Sequence, residues 1–444
     1  MDPTARSVAL AVLNAPPGKA FADERLDTAL NRGELSRLDR RLATELVYGV
    51  LRRRGTLDAL LTPLLNHPPA PKVMNLLRLG AYQLAFLDHV PAHAAIDTAV
   101  DLTPETGSPK SRGFVNAVLR GVTRFLAEED ALGPAADAYP RLNGQYRRLF
   151  QPVLPDPASD PAGYIAAAFS LPGWMVERWL PRFGVEEMHR LGFWFAGPAP
   201  IWLRVNPRKT SREQFLVSGV NAEPGDAPQS LKLLGPAAIS ELPGYAEGHF
   251  CVQDHTSQEV AAMLDSKPAW RVLDRCAAPG GKSTHLAELM QDQGEVVSCD
   301  VDARKIATIE TLAQRLGLRS VKTVTLRRDD PPPEGPFDAA LVDAPCSNTG
   351  VLGRRPEVRW RLRPEDLTEL AALQLRLLLE SIDRVRPGGV VVYSTCSIEP
   401  EENEAVVRAA MAERPGIVVE AEVNSVPGRP SDGGYRARLV TKNN

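Results

Sequence analysis

Two cysteines stand in turn sequences that directly follow short apolar runs. Cys346 lies in the segment 342–347 (VDAPCS), and Cys396 lies in the segment 393–397 (YSTCS). An apolar run that ends in polar turn residues is typical of a buried parallel strand. Open α/β sheets bind their ligands at the carboxyl ends of such strands. Two thiols at this edge predict cysteine chemistry on a bound substrate.

A glycine turn at 276–283 (CAAPGGKS) separates an apolar strand from a helical sequence. Gly280 and Gly281 would let the backbone approach a ligand, and the helix that follows presents unpaired N–H groups. The next apolar run ends at Asp300, where nucleoside-binding α/β folds place a carboxylate against the ribose hydroxyls. The turn matches neither the dinucleotide nor the phosphate-loop pattern, so S-adenosylmethionine, a nucleoside without phosphate, fits better.

The elements that must position these residues alternate between strand and helix from residue 251 onward. This alternation predicts a doubly wound, mainly parallel sheet with the thiols and the glycine turn at one edge. Strands are predicted near 270–274, 295–300, 321–326, 338–343 and 389–394. Helices are predicted near 282–291, 303–316, 364–385 and 401–412.

The preceding sequence divides into three predicted regions. Residues 1–127 have helical periodicity, with Ser36 as a predicted helix cap. Residues 128–165 are rich in proline, with weak periodicity, and predict a linker that carries a helical piece near 143–150. Residues 166–250 predict a small α/β lobe, and 251–444 form the catalytic region. The helices of the first region are predicted near 5–14, 21–31, 36–50, 56–65, 72–87, 92–101 and 111–125.

Composition excludes several classes of protein. The chain has 444 residues and a net charge of −3, so it is long enough for two or three domains and is not strongly basic. No apolar run approaches the ~18–20 residues that span a membrane. Its five cysteines lack metal-ligand spacing, which favours reduced thiols and predicts no metal site.

Local arginine clusters are the only sign of nucleic-acid binding in the composition. The strongest is the run of five arginines between 354 and 363, which surrounds Trp360. An aromatic ring among arginines can stack on a base while the arginines contact phosphates. We therefore expect residues 354–363 to contact RNA, whereas the arginines at 52–54 are more typical of a solvated surface.

Four linked motifs resemble those of the RNA (cytosine-C5) methyltransferases. They are 276–282, 343–347, 394–397 and the following EPEENE at 399–404, and the resemblance covers roughly residues 165–444. The first 125 residues resemble the NusB-type RNA-binding domain. The combination is similar to the RsmB (Sun) branch, which acts on small-subunit (16S) ribosomal RNA. It implies a Rossmann-like S-adenosylmethionine-dependent methyltransferase domain, preceded by an all-α NusB-like domain and a small α/β lobe that is RNA-recognition-like.

The resemblance also implies residue roles. Cys396 would attack the base, Cys346 would assist breakdown of the adduct, Asp343 would polarise the cytosine, and Lys282 would contact the substrate or the cofactor. The arginine-rich sequence before Asp329 departs from the family pattern, so the neighbouring Asp330 is an alternative contact for the adenine. The implied cofactor contacts are Cys276, Ala277, Ala278, Pro279, Gly280, Gly281, Lys282, Asp300, Asp329 and Asp343.

Several alternatives remain open from the sequence. The same chemistry could act on transfer RNA or on another ribosomal RNA site. A non-catalytic RNA-binding or transcription factor built on the NusB-like domain would need neither thiol. A DNA cytosine methyltransferase would attack with Cys346 instead of Cys396. The expected partner is small-subunit ribosomal RNA, and we expect a cytoplasmic monomer without membrane contact or an obligate protein partner.

Overall fold

The chain forms two compact units in a computed structural model that describes residues 3–16, 21–32, 35–235 and 237–442. One unit comprises Met1–Pro198 together with Leu352–Arg361, and the other comprises Ala199–Val351 together with Leu362–Asn444. None of the helices in these described ranges combines the length and the apolar character needed to cross a bilayer.

The first unit begins with helices that enclose one apolar core. Leu46, Leu76 and Leu119 lie fully buried in that core. Ser36 caps the third helix by accepting a hydrogen bond from the Asp39 amide at 3.1 Å, which confirms the predicted cap. The helix predicted separately at 56–65 is a continuation of this one. The helices are α1 (Ala5–Leu13), α2 (Ala22–Asn31), α3 (Arg37–Leu61), α4 (Pro71–Phe86), α5 (Ala92–Asp101) and α6 (Arg112–Thr123).

A small antiparallel sheet occupies much of the predicted linker. Its strands are β1 (Leu126–Ala131), β2 (Ala138–Pro140) and β3 (Tyr146–Leu149), in the order β1-β3-β2. The helical piece predicted near 143–150 is therefore wrong. The segment is a strand because it pairs antiparallel with both neighbours: Tyr146 stands opposite Ala131 of β1 and Pro140 of β2, although its burial pattern does not alternate. Helices α7 (Pro161–Ala168) and α8 (Gly173–Ala196) follow.

The small lobe at the start of the second unit is a four-stranded antiparallel sheet. Its strand order is β5-β6-β4-β7, and Phe215 of its helix packs into its core beside Leu203 and Leu231. The elements are β4 (Trp202–Val205), α9 (Arg212–Leu216), β5 (Ala222–Pro224), β6 (Ser230–Leu233) and β7 (Phe250–Val252).

The larger part of the second unit is a seven-stranded sheet with helices on both faces. The strand order is β10-β9-β8-β11-β12-β14-β13, and the five parallel strands are those predicted from the alternation. Two antiparallel strands extend the sheet beyond β12. The strands are β8 (Arg271–Asp274), β9 (Glu295–Asp300), β10 (Val321–Thr325), β11 (Phe337–Asp343), β12 (Val385–Thr395), β13 (Ile417–Ser425) and β14 (Gly434–Thr441). The helices of this part are α10 (His255–Met263), α11 (Gly281–Leu289), α12 (Ala303–Leu316), α14 (Pro364–Ile382) and α15 (Glu404–Glu413). The short helix α13 (Val358–Arg361) lies between α12 and α14 in the chain but belongs to the first unit.

Arg359 of α13 is a buried structural residue of the first unit. Its side chain is only 1% exposed, and its guanidinium donates hydrogen bonds to the carbonyls of Phe169, Ser170, Phe195 and Leu352 at 3.1–3.3 Å. Phe169 and Ser170 directly follow α7, and Phe195 lies in the last turn of α8, where backbone carbonyls lack intrahelical partners. The prediction that the arginine run contacts RNA is therefore wrong for Arg359.

Trp360 is also held within the first unit. Its indole nitrogen donates to the Leu51 carbonyl at 3.1 Å, and the Arg54 guanidinium lies 4.8 Å from the ring centroid. The ring that was expected to stack on a base thus stacks on an arginine of α3. The arginines at 52–54 also depart from expectation, because Arg53 is buried and donates to the carbonyls of Pro140 and Arg141.

Candidate active site

The two cysteines lie just beyond the carboxyl ends of neighbouring parallel strands. Strand β11 pairs with β12 so that Asp343 stands opposite Ser394. The chain then turns on both strands, and the turns bring Cys346 Sγ to 3.2 Å from Cys396 Sγ. Both residues have intermediate exposure, between fully buried and fully exposed. The two thiols therefore meet in space, as their strand-end positions predict.

Asn348 contacts both cysteines and was not identified from the sequence. Its amide nitrogen donates to the Cys346 carbonyl at 2.7 Å, and its amide oxygen accepts from Cys396 Sγ at 3.3 Å. Its backbone has a φ of 60°, a left-handed conformation that asparagine tolerates better than most residues. Asn348 therefore fixes the turn after Cys346 against the second thiol.

The surroundings of Cys346 disfavour its ionised form. Its hydrogen bond with Cys396 raises the pKa of Cys346 well above the ordinary value, and burial and the charges of Cys396 and Glu402 add to this effect. These surroundings therefore favour the protonated form of Cys346.

Lys282 and Asp343 form an ion pair at the same edge of the sheet. The Lys282 ammonium donates to Asp343 Oδ2 at 2.6 Å, and the Ser394 hydroxyl donates to Asp343 Oδ1 at 2.7 Å. Burial alone would lower the pKa of Lys282, but the Asp343 charge and its hydrogen bond raise that pKa above the ordinary value. The lysine therefore stays protonated beside the thiols.

The glycine turn between β8 and α11 is fixed by backbone hydrogen bonds. The Ala277 amide donates to the Cys299 carbonyl at 2.8 Å, and the Gly280 amide donates to the Ala277 carbonyl at 2.7 Å. Gly280 has a φ of 101°, and a Cβ there would lie 3.1 Å from the Ile309 backbone. Glycine is therefore required at this position, and the open N–H groups of α11 begin directly after it.

Asp274 is a second residue that the sequence did not single out. It is fully buried at the end of β8, accepts a hydrogen bond from the Ser283 hydroxyl at 2.6 Å, and burial raises its pKa to about 7. Its other oxygen has no partner among the described residues. An acid at the end of a buried strand, beside the glycine turn, was the signal that could have identified it.

The predicted acidic cofactor contacts lie in different environments. Asp300 ends β9, and its carboxylate accepts from the Asp302 amide at 3.0 Å. The Asp329 side chain is largely exposed and pairs with Arg376 at 3.2 Å, whereas Asp330 accepts from the Arg327 amide at 2.9 Å. A contact of either residue with the adenine stays a prediction.

A buried arginine of the small lobe contacts the helix after the glycine turn. Arg204 on β4 makes a two-point ion pair with Glu288 of α11, at 2.8 and 3.0 Å. It also donates to the Gly281 carbonyl at 2.7 Å and to the Thr284 hydroxyl at 3.0 Å. The first turn of α11 is therefore held from the lobe side, by a residue that sequence reasoning missed.

This fold and edge geometry define a Rossmann-like methyltransferase domain. Residues 261–433 match the family described as 16S rRNA methyltransferase RsmB/F, residues 3–124 match the NusB family, and residues 171–240 match the ferredoxin-like domain of RsmF/B-like methyltransferases. The chain belongs to the RsmB/F family of 16S rRNA methyltransferases and is an RNA methyltransferase. The resemblance inferred from the motifs is thereby confirmed.

Relatives of similar length support this assignment. The chain is 38% identical to the probable ribosomal RNA small subunit methyltransferase B of Synechocystis sp., over 87% of this chain and 84% of that protein. It is 35% identical to the protein of the same description from Bacillus subtilis, over 92% and 88%. The crystal structure of PH0851 has a TM-score of 0.78 and 25% identity over 98% of both chains. A methyltransferase homologue from Pyrococcus horikoshii has a TM-score of 0.54 and 25% identity, over 62% of this chain and 97% of its own.

Proposed function

We propose that this protein transfers a methyl group from S-adenosylmethionine to C5 of a specific cytidine in small-subunit ribosomal RNA, through a covalent cysteine–C6 adduct. The observation that carries the proposal is the 3.2 Å approach of Cys346 Sγ to Cys396 Sγ at the ligand-binding edge of the sheet. Similarity to proteins described as small-subunit ribosomal RNA methyltransferases supports the substrate. Such a substrate also favours a cytoplasmic enzyme.

The chemistry of cytosine explains why a thiol is needed. C5 of the ring is a poor nucleophile, so a group must first add to C6 and move the C5–C6 π electrons to C5. A cysteine thiolate suits this step because it is intrinsically strongly nucleophilic. The base must leave its stack so that both carbons are open to the enzyme.

In the proposed reaction Cys396 is the nucleophile. Its thiol first loses a proton to solvent, and the thiolate sulfur then forms a bond to C6. C5 takes the methyl group that S-adenosylmethionine would supply, and breakage of the S–CH3 bond would leave S-adenosylhomocysteine. The Cys346 thiol protonates the Cys396 sulfur as the C6–S bond breaks, and the C5 proton passes to Cys346. The net products are 5-methylcytosine, S-adenosylhomocysteine and one proton, which is the proton that Cys396 lost before the attack. The 3.2 Å separation of the two sulfurs allows this direct proton transfer.

Asp343 and Lys282 act on the ring in this proposal. Asp343 is held by Lys282 on one oxygen and by Ser394 on the other, so its orientation is fixed before the base arrives. A fixed carboxylate can accept from the cytosine amino group or from a protonated N3. Either contact favours electron withdrawal from C6, which the attack requires.

The residues around the glycine turn fit S-adenosylmethionine. When bound, this cofactor supplies a methyl group on a positively charged sulfur. Asp300 and Asp343 place acidic side chains at this edge of the sheet, which suits a sulfonium and an amino group. The buried Asp274 Oδ1, which has no partner in the described residues, offers an acceptor beside the turn. The predicted turn residues 276–282 would supply the remaining contacts from the backbone.

A methyl-transfer assay tests the proposal. The protein is incubated with labelled S-adenosylmethionine and with unmodified small-subunit ribosomal RNA, transfer RNA or DNA, and the modified base is mapped. We expect 5-methylcytosine at one position of the ribosomal RNA. Methylation of transfer RNA or DNA alone would overturn the substrate, and absence of transfer to all three would favour the non-catalytic RNA-binding alternative.

A further inference from the structure

Glu402 is a buried carboxylate directly behind the two cysteine turns. It ends the short 3₁₀ turn Pro400–Glu402 and has no exposed surface. Its Oε1 accepts from the Ser347 amide at 2.8 Å and from the Gln374 side-chain amide at 2.9 Å. Its Oε2 accepts from the Ser397 hydroxyl at 2.5 Å and from the Ser347 hydroxyl. One carboxylate thus receives four hydrogen bonds.

These donors belong to the segments that carry the two thiols. Ser347 follows Cys346 in the chain, and Ser397 follows Cys396. The two serine hydroxyls lie 3.0 Å apart, so Glu402 joins the turns at one point. Gln374 of α14 completes the arrangement, because the same amide nitrogen also donates to the Pro345 carbonyl at 2.9 Å.

We propose that Glu402 is a positioning residue for the methyl-transfer reaction, which holds the Cys346 turn and the Cys396 turn at the spacing that the two sulfurs need. This inference rests on the function proposed above. Glu402 touches neither sulfur through a hydrogen bond and acts through Ser347 and Ser397. A shift of about 1 Å in a reacting group can cost about 100-fold in rate, so the support of these turns matters for turnover.

The charge of Glu402 gives the same residue a second effect. All four of its donors are neutral groups, so its negative charge is not cancelled by an ion pair within the described residues. Cys396, Glu402 and the buried Tyr393 hydroxyl are the titratable groups around Cys346, and Lys282 faces Cys396. The Glu402 charge adds to the contact with Cys396 and to burial in raising the pKa of Cys346. The Glu402 charge therefore favours the protonated form of Cys346.

Two substitutions separate the two effects. Glu402→Gln keeps the shape and removes the charge, and the serine hydroxyls can rotate to accept from the new amide. Glu402→Ala removes the carboxylate, so the Ser347 amide and the hydroxyls of Ser347 and Ser397 lose their shared hydrogen-bond acceptor. The control is Glu413→Gln, an exposed glutamate on α15. We expect Glu402→Ala to lower kcat about 100-fold with little change in KM for RNA, Glu402→Gln to recover part of that loss, and the control to match the wild type.

A second measurement needs neither RNA nor cofactor. Iodoacetamide alkylation of Cys346 is followed by peptide mass spectrometry against pH, in Cys396→Ala protein with and without Glu402→Gln. We expect the pH midpoint of Cys346 alkylation to fall when the charge of Glu402 is removed. Circular dichroism should show that both proteins are folded. An unchanged midpoint together with unchanged kcat in Glu402→Gln and Glu402→Ala would overturn the inference.

The outcomes also separate this inference from the proposed function. If the wild type transfers no methyl group to any RNA while the Cys346 midpoint still falls in Glu402→Gln, the proposed function fails and the electrostatic role of Glu402 stands. If Glu402→Ala is unfolded, Glu402→Gln and its alkylation profile decide the question alone.

Discussion

The thiol edge of the sheet and the arginine segment 354–363 were both predicted from the sequence to be functional, but their side chains have different surroundings in the structure. At the thiol edge, the side chains that carry the chemistry remain partly exposed and converge, with Cys346 and Cys396 3.2 Å apart. In the arginine segment, Arg359 is buried and its guanidinium donates to four backbone carbonyls of the first unit.

The difference lies in what each pattern specifies. A thiol after a parallel strand has its place fixed by sheet topology, because carboxyl ends of parallel strands meet at one edge. A run of charged residues, by contrast, does not determine where its side chains lie in the fold. An arginine can meet phosphates, but its five donors can equally satisfy the open carbonyls at helix ends, and the local sequence does not show which partner is near.

The largest effect is expected from breaking the ion pair at the thiol edge. Lys282→Met keeps the length of the side chain and leaves the Asp343 carboxylate without its cation. We expect kcat/KM to fall about 1,000-fold, in the range found for lost acid–base or charge-stabilising groups. The control is Lys305→Met, an exposed lysine on α12. Equal activity of the two variants would remove Lys282 from the site.

A structural arginine and an RNA-binding arginine respond differently to substitution. Arg359→Met leaves four carbonyls without their donor, so we expect the free energy of unfolding to fall by about 3 kcal/mol in urea titrations. The matched control is Arg363→Met, whose side chain is 70% exposed and whose loss should leave the free energy of unfolding close to that of the wild type. If Arg359→Met kept the stability of the wild type but bound RNA more weakly, Arg359 would be an RNA-contacting residue, as the sequence predicted.

A smaller loss is expected from Gly280→Ala in the glycine turn. A Cβ at this position would be strained by the left-handed backbone and crowded by Ile309. We therefore expect the free energy of unfolding to fall by about 1–2 kcal/mol. We also expect calorimetry to show weaker binding of S-adenosylmethionine. Gly416→Ala is the control, because a Cβ there meets nothing within 4 Å. Equal stability and equal cofactor affinity in the two variants would contradict the assigned geometry.

The last prediction concerns the pH dependence of stability. The pKa of Asp274 is raised to about 7 by burial, above an ordinary value of about 4. The unfolded state therefore releases this proton first, and the wild type should lose stability as pH rises from about 4 to about 7. The Asp274→Asn side chain cannot ionise. As pH rises from about 4 to about 7, the urea midpoint of this variant should therefore decrease less than that of the wild type. Asp97→Asn, at an exposed position on α5, should keep the wild-type slope.

The sequence predicted the five parallel strands and the convergence of the thiols, because both follow from regular alternation and strand-end position. It missed the β1–β3 sheet, since strands of three to six residues among prolines and glycines give little periodic signal. It also assigned no role to Asn348, Asp274 or Arg204, and none to Glu402, although Glu402 lies in the motif at 399–404. The importance of each of these residues comes from contacts with segments distant in the chain or from burial, and local pattern shows neither.

The most direct test of the account is a denaturing gel of RNA adducts. Cys346→Ala and Cys396→Ala proteins are incubated with unmodified small-subunit ribosomal RNA and S-adenosylmethionine, beside the wild type and the double variant. We predict that Cys346→Ala accumulates a covalent RNA adduct, and that neither Cys396→Ala nor the double variant does. An adduct in Cys396→Ala alone would show that the two cysteines have the opposite roles and would contradict the proposed mechanism.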